Sequence, residues 1–291
     1  MEIDKGKLEK VPHSCAIKAQ AVYDTLKRAE RAAMDYILNH PDQIAEASIV
    51  RVAREAGCSE ATLVRLARRL GYDGFPGLKT AFQQAERSEE GVVYKGITAH
   101  DDPLAVVEKV FAASIQSLHD TLQVIDREQY RRAVAAIVGA RRLLFCGLGD
   151  AALVAASVCQ KFLRVNADAQ SSEDPDMQLI MASHLGARDV LVAVSHSGRS
   201  TTIIHTIDEA RARGATTVAV TNYPLSPLAK ASDIVLLTAD FAEHLNGEVV
   251  SKRVSEQCVL ESLYINYLIA RNGELLAAQE RANRAVEVYK A

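Results

Sequence analysis

Five hydroxyls stand within eight residues at Ser195, Ser197, Ser200, Thr201 and Thr202, around a single glycine, Gly198. Serine and threonine supply neutral donors that do not block an approaching ligand. Glycine lets backbone come close to it. Such a block suits an anion, above all a phosphate, wherever unpaired backbone N–H groups face the same space. The flanking sequence predicts that setting. Val190 to Val194 is an unbroken apolar run, read as a strand buried on both faces. Ile203, Ile204, Ile207 and Ala210 then recur on one face of a helix. The hydroxyls therefore fall between a strand's carboxyl end and a helix N-terminus, where free N–H groups and the positive dipole end favour a phosphate. An ordinary strand-to-helix turn with a serine cap accounts for one or two hydroxyls. It does not account for this density.

A second stretch carries different chemistry. Ser48 caps a short helix with Ile49, Val52, Ala53 and Ala56 inward, and Gly57 closes it. Ser59 caps the next, with Leu63, Leu66, Ala67 and Leu70 as its inner face, and Gly71 ends it. Helix, short glycine turn, helix is the helix-turn-helix layout. The outer face of the second helix is read as carrying Glu60, Ala61, Thr62, Arg65, Arg68 and Arg69, and the expected DNA-binding set is Ser59, Glu60, Thr62, Arg65, Arg68 and Arg69. Its N-terminal residues would meet base edges in a major groove, and arginine reads guanine or holds phosphate. The alternative is a three-helix module with a solvated basic face.

Around these two stretches the chain divides. Residues 1–85 are expected to form an all-α domain, 86–103 a linker, and 104–291 a second domain. The pattern predicts one helix from Ala16 to Leu38, then a short one near Ile44, with Phe75 and Leu78 sealing the core. Residues 79–100 read as polar and irregular. Beyond them, helices are expected over Leu104–Thr121, Ile125–Val138, Leu153–Arg164, Met177–Leu185, Lys252–Ala270 and Glu274–Val288. Strands are expected at Arg141–Cys146, Ala167–Gln170, Val190–Val194, Thr217–Asn222 and Ile234–Thr238. Strands alternating with helices predict a doubly wound parallel α/β sheet. Gly147-Leu-Gly149 follows a strand, but position 152 is Ala. The third glycine of a dinucleotide fingerprint is missing.

Composition is that of a soluble globular protein: 48% hydrophobic, 24% charged, net charge −3. Residues 1–85 hold 13 Lys and Arg against 11 Asp and Glu, while the remainder nets −5. This mild asymmetry permits a nucleic-acid-facing N-terminal part. The five cysteines (Cys15, Cys58, Cys146, Cys159, Cys258) form no C-x-x-C pair and suit a reducing cytoplasm. The first residues lack a signal-peptide core, and no run approaches a membrane span. The eight histidines show no metal-ligand spacing, and no cofactor or metal is expected.

Together these residues resemble the RpiR/MurR family of bacterial transcription regulators, an N-terminal helix-turn-helix joined to a sugar isomerase (SIS) fold. The marks are Ser59-Glu-Ala-Thr-Leu-Val-Arg65, Leu70-Gly-Tyr-Asp-Gly-Phe-Pro-Gly-Leu-Lys79, Gly147-Leu-Gly149, Ser195-His-Ser-Gly-Arg-Ser200 and Ser251-Lys-Arg-Val-Ser-Glu-Gln257. The resemblance implies a regulator that binds operator DNA as a homodimer or homotetramer and senses a phosphosugar effector. The S-x-S-G-x-T loop maps onto Ser195, Ser197, Gly198 and Ser200. Gly149 belongs to the first loop and Ser251 to a later one that approaches the sugar. The family's serine in the first loop is Ala151 here, preceded by Asp150; a lost donor and an added negative charge would weaken ligand contact. Glu256 stands where relatives often carry Gln. Ligand binding is expected to shift the operator-binding equilibrium by changing how subunits match half-sites about one helical turn apart.

The competing reading is an active sugar-phosphate aldose/ketose isomerase with a helical accessory module. Its proton transfer needs a base beside a carbonyl. The candidates are His196, His244, Glu248 and Glu256. His196 reads as exposed loop filler, and the two glutamates as surface or helix-pairing residues. Spacing joins no acid to a base, so the sequence favours a regulator over an enzyme. Sensing coupled to a protein partner instead of DNA fits Arg65, Arg68 and Arg69 less well.

Overall fold

The computed structural model describes residues 26–87, 97–98, 100–224, 226–240, 251–271 and 275–289, with 11–12, 15, 18–19 and 23. They fall into two compact units, one up to Ala113 and one from Ser114 to Asp240 that resumes with the described residues from Ser251. Among the described residues no helix is long and apolar enough to cross a membrane.

The first unit contains α1 (Arg28–Asn39), α2 (Pro41–Glu46), α3 (Ile49–Glu55), α4 (Glu60–Arg69) and α5 (Gly74–Arg87). The single helix expected over Ala16–Leu38 is not observed, because Leu26 and Lys27 are non-helical. Lys27 has extended backbone, and its N–H donates to Glu30 Oε2 at 3.1 Å, a contact that starts a helix. The expectation of irregular chain from residue 79 is also corrected, since α5 runs to Arg87. Phe75, Leu78 and Phe82 form its buried stripe at helical spacing, beneath polar exposed positions that masked it. They close a core with Met34, Ile37, Leu38, Val52, Leu63 and Leu66. Lys79 Nζ donates to the carbonyls of Glu46 and Ala47 at 2.9 and 3.0 Å, tying α5 to the end of α2.

Further along the chain come α6 (Pro103–Val124), α7 (Arg127–Gly139), β1 (Arg142–Cys146), α8 (Asp150–Arg164), β2 (Ala169–Ser171), α9 (Pro175–Ser183) and β3 (Asp189–Val194). They are followed by α10 (Thr201–Ala212), β4 (Thr216–Thr221), α11 (Pro227–Ala231), β5 (Ile234–Leu237), α12 (Lys252–Ala270) and α13 (Leu276–Glu287). The strands form one parallel sheet in the order β2-β1-β3-β4-β5. Side chains alternate across it. Leu143, Phe145, Val190, Val192, Val194, Val218 and Val220 meet α7, α8 and α12 through Ile137, Val158, Phe162, Leu260 and Leu263. Leu144, Cys146, Leu191, Ala193 and Ala219 meet α9, α10 and α11 through Ala182, Ile203, Ile207 and Leu228. All six residues of β3 are buried, as a central strand covered on both faces requires.

The strand order reverses between β1 and β3. From β1 the chain moves outward to β2, and from β3 it moves the other way to β4 and β5. In such sheets the loops at the carboxyl ends diverge at the reversal and leave a crevice there.

Candidate functional site

That crevice holds a cleft of about 350 Å³, lined by Leu148, Asp150, Ala151, Val194, Ser195, His196, Ser197, Ser200, Ile203, Lys252 and Glu256. Its walls are the β1–α8 loop, the β3–α10 loop and the first turns of α12.

The β3–α10 loop is held from several sides. Ser195 N–H donates to Val220 O, and Gly198 N–H to Ser195 O, both at 3.0 Å. The His196 carbonyl accepts from Asn222 N–H at 3.0 Å and from Thr221 Oγ1 at 3.1 Å. Gly198 has φ +59°; a Cβ there would sit 2.5 Å from Ser226 Cβ and 3.0 Å from Thr221 Oγ1. Only glycine fits. Ser200 is the N-cap of α10 with its hydroxyl uncommitted to a cap bond. The N–H groups of Thr201, Thr202 and Ile203 have no acceptor within the helix. Ser195 is buried, Ser200 half-buried and Ser197 exposed. The structure thus gathers Ser195, Ser197 and Ser200 on one cleft wall, with Gly198 behind them as the hinge of the turn.

In the β1–α8 loop a Cβ on Gly147 would lie 2.6 Å from the Ala151 backbone, and Gly149 has φ +56°. Both positions need glycine, and Gly149 shapes the loop while its neighbours Leu148, Asp150 and Ala151 line the cleft. Buried Gln178 of α9 braces the loop, its Nε2 donating to Gly147 O at 2.8 Å and Ser172 O at 2.7 Å. Nothing in the sequence marked Gln178.

Ser251 is fully buried at the start of α12 and is not a lining residue. Its successor Lys252 lines the cleft. Lys252 Nζ lies 3.1 Å from Asp150 Oδ2, and Arg253 Nη1 lies 3.8 Å from Asp150 Oδ1. The Asp150 charge is therefore balanced by neighbouring cations. It also sits in the first turn of α8, where a carboxylate favours the helix dipole.

Two titratable residues differ from their expected roles. His196 is half-buried, packs edge-on against Tyr223 and has a buried Nδ1 without a partner among the described residues. It is not exposed filler, and burial holds its pKa below the ordinary histidine value. Glu256 is 1% exposed, not a surface residue. Burial first, then the nearby Asp240 carboxylate, push it up to about 8. Asp240 itself is buried and accepts from the Ser117 and Ser255 hydroxyls. His244 and Glu248 lie outside the described residues.

In the first unit, α3, the turn at Gly57 (φ +65°) and α4 form the expected helix-turn-helix. Ser59 Oγ caps α4 by accepting from Thr62 N–H at 3.2 Å. Ser59, Glu60, Arg65, Arg68 and Arg69 are exposed. Thr62 is not on the outer face: it is 5% exposed, 2.9 Å from Ser59 Oγ, and accepts from Arg65 Nη2 at 3.2 Å. Thr62 thus steadies the cap and Arg65. Arg69 pairs with Glu30 of α1 at 3.2 Å.

Comparison with known proteins places both halves. The helix-turn-helix domain of the rpiR family matches residues 15–89, and the SIS domain matches residues 136–265. The HTH-type transcriptional regulator HexR of Pseudomonas aeruginosa is 34% identical over 75% of this chain and 76% of its own. An HTH-type transcriptional regulator of Caldanaerobacter subterraneus is 30% identical over 88% of this chain and 90% of its own. The structure of Vibrio vulnificus NanR complexed with ManNAc-6P superposes with a TM-score of 0.58 at 24% identity, covering 94% of this chain and 98% of that one. The fold, the two matched domains and these relatives agree that this chain belongs to the rpiR family of helix-turn-helix transcriptional regulators carrying a SIS domain.

Proposed function

We propose that the cleft binds a phosphosugar and that its occupancy changes the affinity of α4 for operator DNA. The observation that carries this reading is the convergence of Ser195, Ser197 and Ser200 with the free N–H groups of α10 at the sheet's switch point. In this reading the phosphate sits on the serine loop, and Lys252 adds a nearby cation. The NanR relative, complexed with ManNAc-6P, lends support by its fold alone. Ser59, Glu60, Arg65 and Arg68 form the DNA-facing set, with Arg69 shared with Glu30. The division is residues 1–85 for DNA, 86–103 for the connection and 104–291 for the effector, in a homodimer or homotetramer of the cytoplasm. The site senses without turnover. The isomerase alternative gains one observation, since His196 and Glu256 both line the cleft. The regulators among the relatives weigh against it.

The test is a thermal-shift screen of the full chain against hexose, pentose, amino-sugar and sugar-acid phosphates. A ligand that binds the native state raises the melting temperature by mass action. A selective hit, abolished by Ser197→Ala, is expected. No shift at millimolar concentrations would overturn phosphosugar sensing, and release of an isomerised product would favour the enzyme.

A further inference from the structure

Glu256 stands one turn into α12 and lines the cleft, yet 99% of its surface is covered. Its Oε1 is buried without a hydrogen-bond partner among the described residues. A buried polar atom left unpaired is costly and uncommon, and in a binding protein it points to a partner that arrives with the ligand. The surrounding charges explain why no side chain fills the role. Asp240 adds a second buried carboxylate, occupied by the hydroxyls of Ser117 and Ser255. Lys252 and Arg253 on α12 are drawn to Asp150 on α8. His196 on the β3–α10 loop is the other titratable group on the cleft wall among the described residues.

An anion entering this cleft meets that carboxyl in a setting of low dielectric. An ionised Glu256 would repel a phosphate; a neutral one can donate its O–H to a ligand oxygen. We propose that Glu256 couples effector binding to proton uptake: the cleft takes its anion with the Glu256 carboxyl protonated, the acid O–H donating to an oxygen of the bound phosphosugar. The proton comes from solvent and returns to it on release. This inference rests on reading the cleft as the phosphosugar site. Burial and Asp240 already hold the empty-site carboxyl high, so the coupling falls between pH 7 and 9. Burial moves His196 the other way, below that window. The second ionisation of a phosphate ester lies below it.

The test measures binding of glucose 6-phosphate to the full chain at pH 7, 8 and 9. Wild type, Glu256→Gln and Ser197→Ala are compared. Glutamine keeps the shape and a donor but carries no titrating proton. Wild-type affinity is expected to fall about tenfold from pH 7 to 9, as the protonated fraction of a carboxyl held up to about 8 does. Glu256→Gln should bind equally at all three. Ser197→Ala should bind weakly throughout. The same fall in wild type and Glu256→Gln, with Ser197→Ala still impaired, would overturn the role of Glu256 and leave the phosphate loop standing. Binding indifferent to Ser197→Ala would overturn the loop reading itself. As a check independent of the variants, the carboxyl carbon of labelled Glu256 should titrate at higher pH when glucose 6-phosphate is added; an unchanged or lowered midpoint contradicts the proposal.

Discussion

The Lys252 ammonium lies 3.1 Å from the Asp150 carboxylate, bridging the first turns of α12 and α8 at the cleft. The pair joins residues 102 positions apart in sequence, and neither is informative alone. Asp150 by itself reads as a charge that repels a phosphate. Paired with Lys252 and approached by Arg253, it holds one cation, Lys252, on the cleft wall. Both partners are part-exposed, so their contribution to stability is small. Lys252→Ala should weaken phosphosugar binding about tenfold and Asp150→Asn should strengthen it a few-fold, both less so in high salt. Titration calorimetry at two ionic strengths measures this; opposite signs would mean that the pair points away from the ligand.

Ser197 is the exposed hydroxyl of the loop, and its Oγ accepts only a 3.3 Å contact from Arg199 N–H among the bonds described. Removing it costs the fold little. Ser197→Ala should lower effector affinity at least tenfold, as loss of a hydrogen bond to a charged group does, and leave ligand-free operator binding within twofold. Gel-shift titrations with and without effector separate the two; equal loss of both would break the proposed division of labour.

Arg65 projects from α4 with one guanidinium nitrogen steadied by Thr62. Arg65→Ala should reduce operator affinity by about 1–3 kcal/mol if it reads a base. A phosphate contact would instead reduce the salt slope by about one. Fluorescence anisotropy across a salt series distinguishes these, while effector binding stays unchanged. Undiminished DNA binding would move the reading surface away from α4.

Gly198 makes room for Ser226 and holds a left-handed backbone. Gly198→Ala is expected to destabilise the second unit by roughly 2 kcal/mol or more through overlap and backbone strain. It should also displace the serine loop. Replacing Ser226 by glycine in the same chain removes the overlap and should restore part of the stability. Urea denaturation of the single and double variants measures the difference.

Glu256 also makes a prediction without ligand. Its carboxyl titrates near 4.5 when unfolded and is pushed up to about 8 in the fold. The folded state therefore holds the proton more tightly. Its stabilising share is complete below about pH 4.5 and is lost as pH rises through about 8. Wild type should lose roughly 3–5 kcal/mol more than Glu256→Gln between pH 5 and 9. Parallel stability curves for the two would show that water reaches the carboxyl.

Local patterns in the sequence determined much of this protein. The β3 run, the hydroxyl block after it, the capped helices flanking Gly57 and the alternation of strands and helices depend on neighbours a few residues apart. They identify a parallel sheet, a hydroxyl-rich loop between a strand and a helix, and a helix-turn-helix directly. The break at Lys27 and the reach of α5 to Arg87 escaped that reading. Tertiary packing overrode a continuous alanine-rich pattern in one case and a polar composition in the other. What the tertiary structure decided was pairing across long separations. It set Lys252 against Asp150, buried Glu256 beside Asp240, turned Thr62 inward and placed Lys252, not Ser251, on the cleft. A charge or a carboxyl has a chemical role only through what surrounds it in space. Those surroundings come from loops brought together where the strand order reverses, and no local spacing records them.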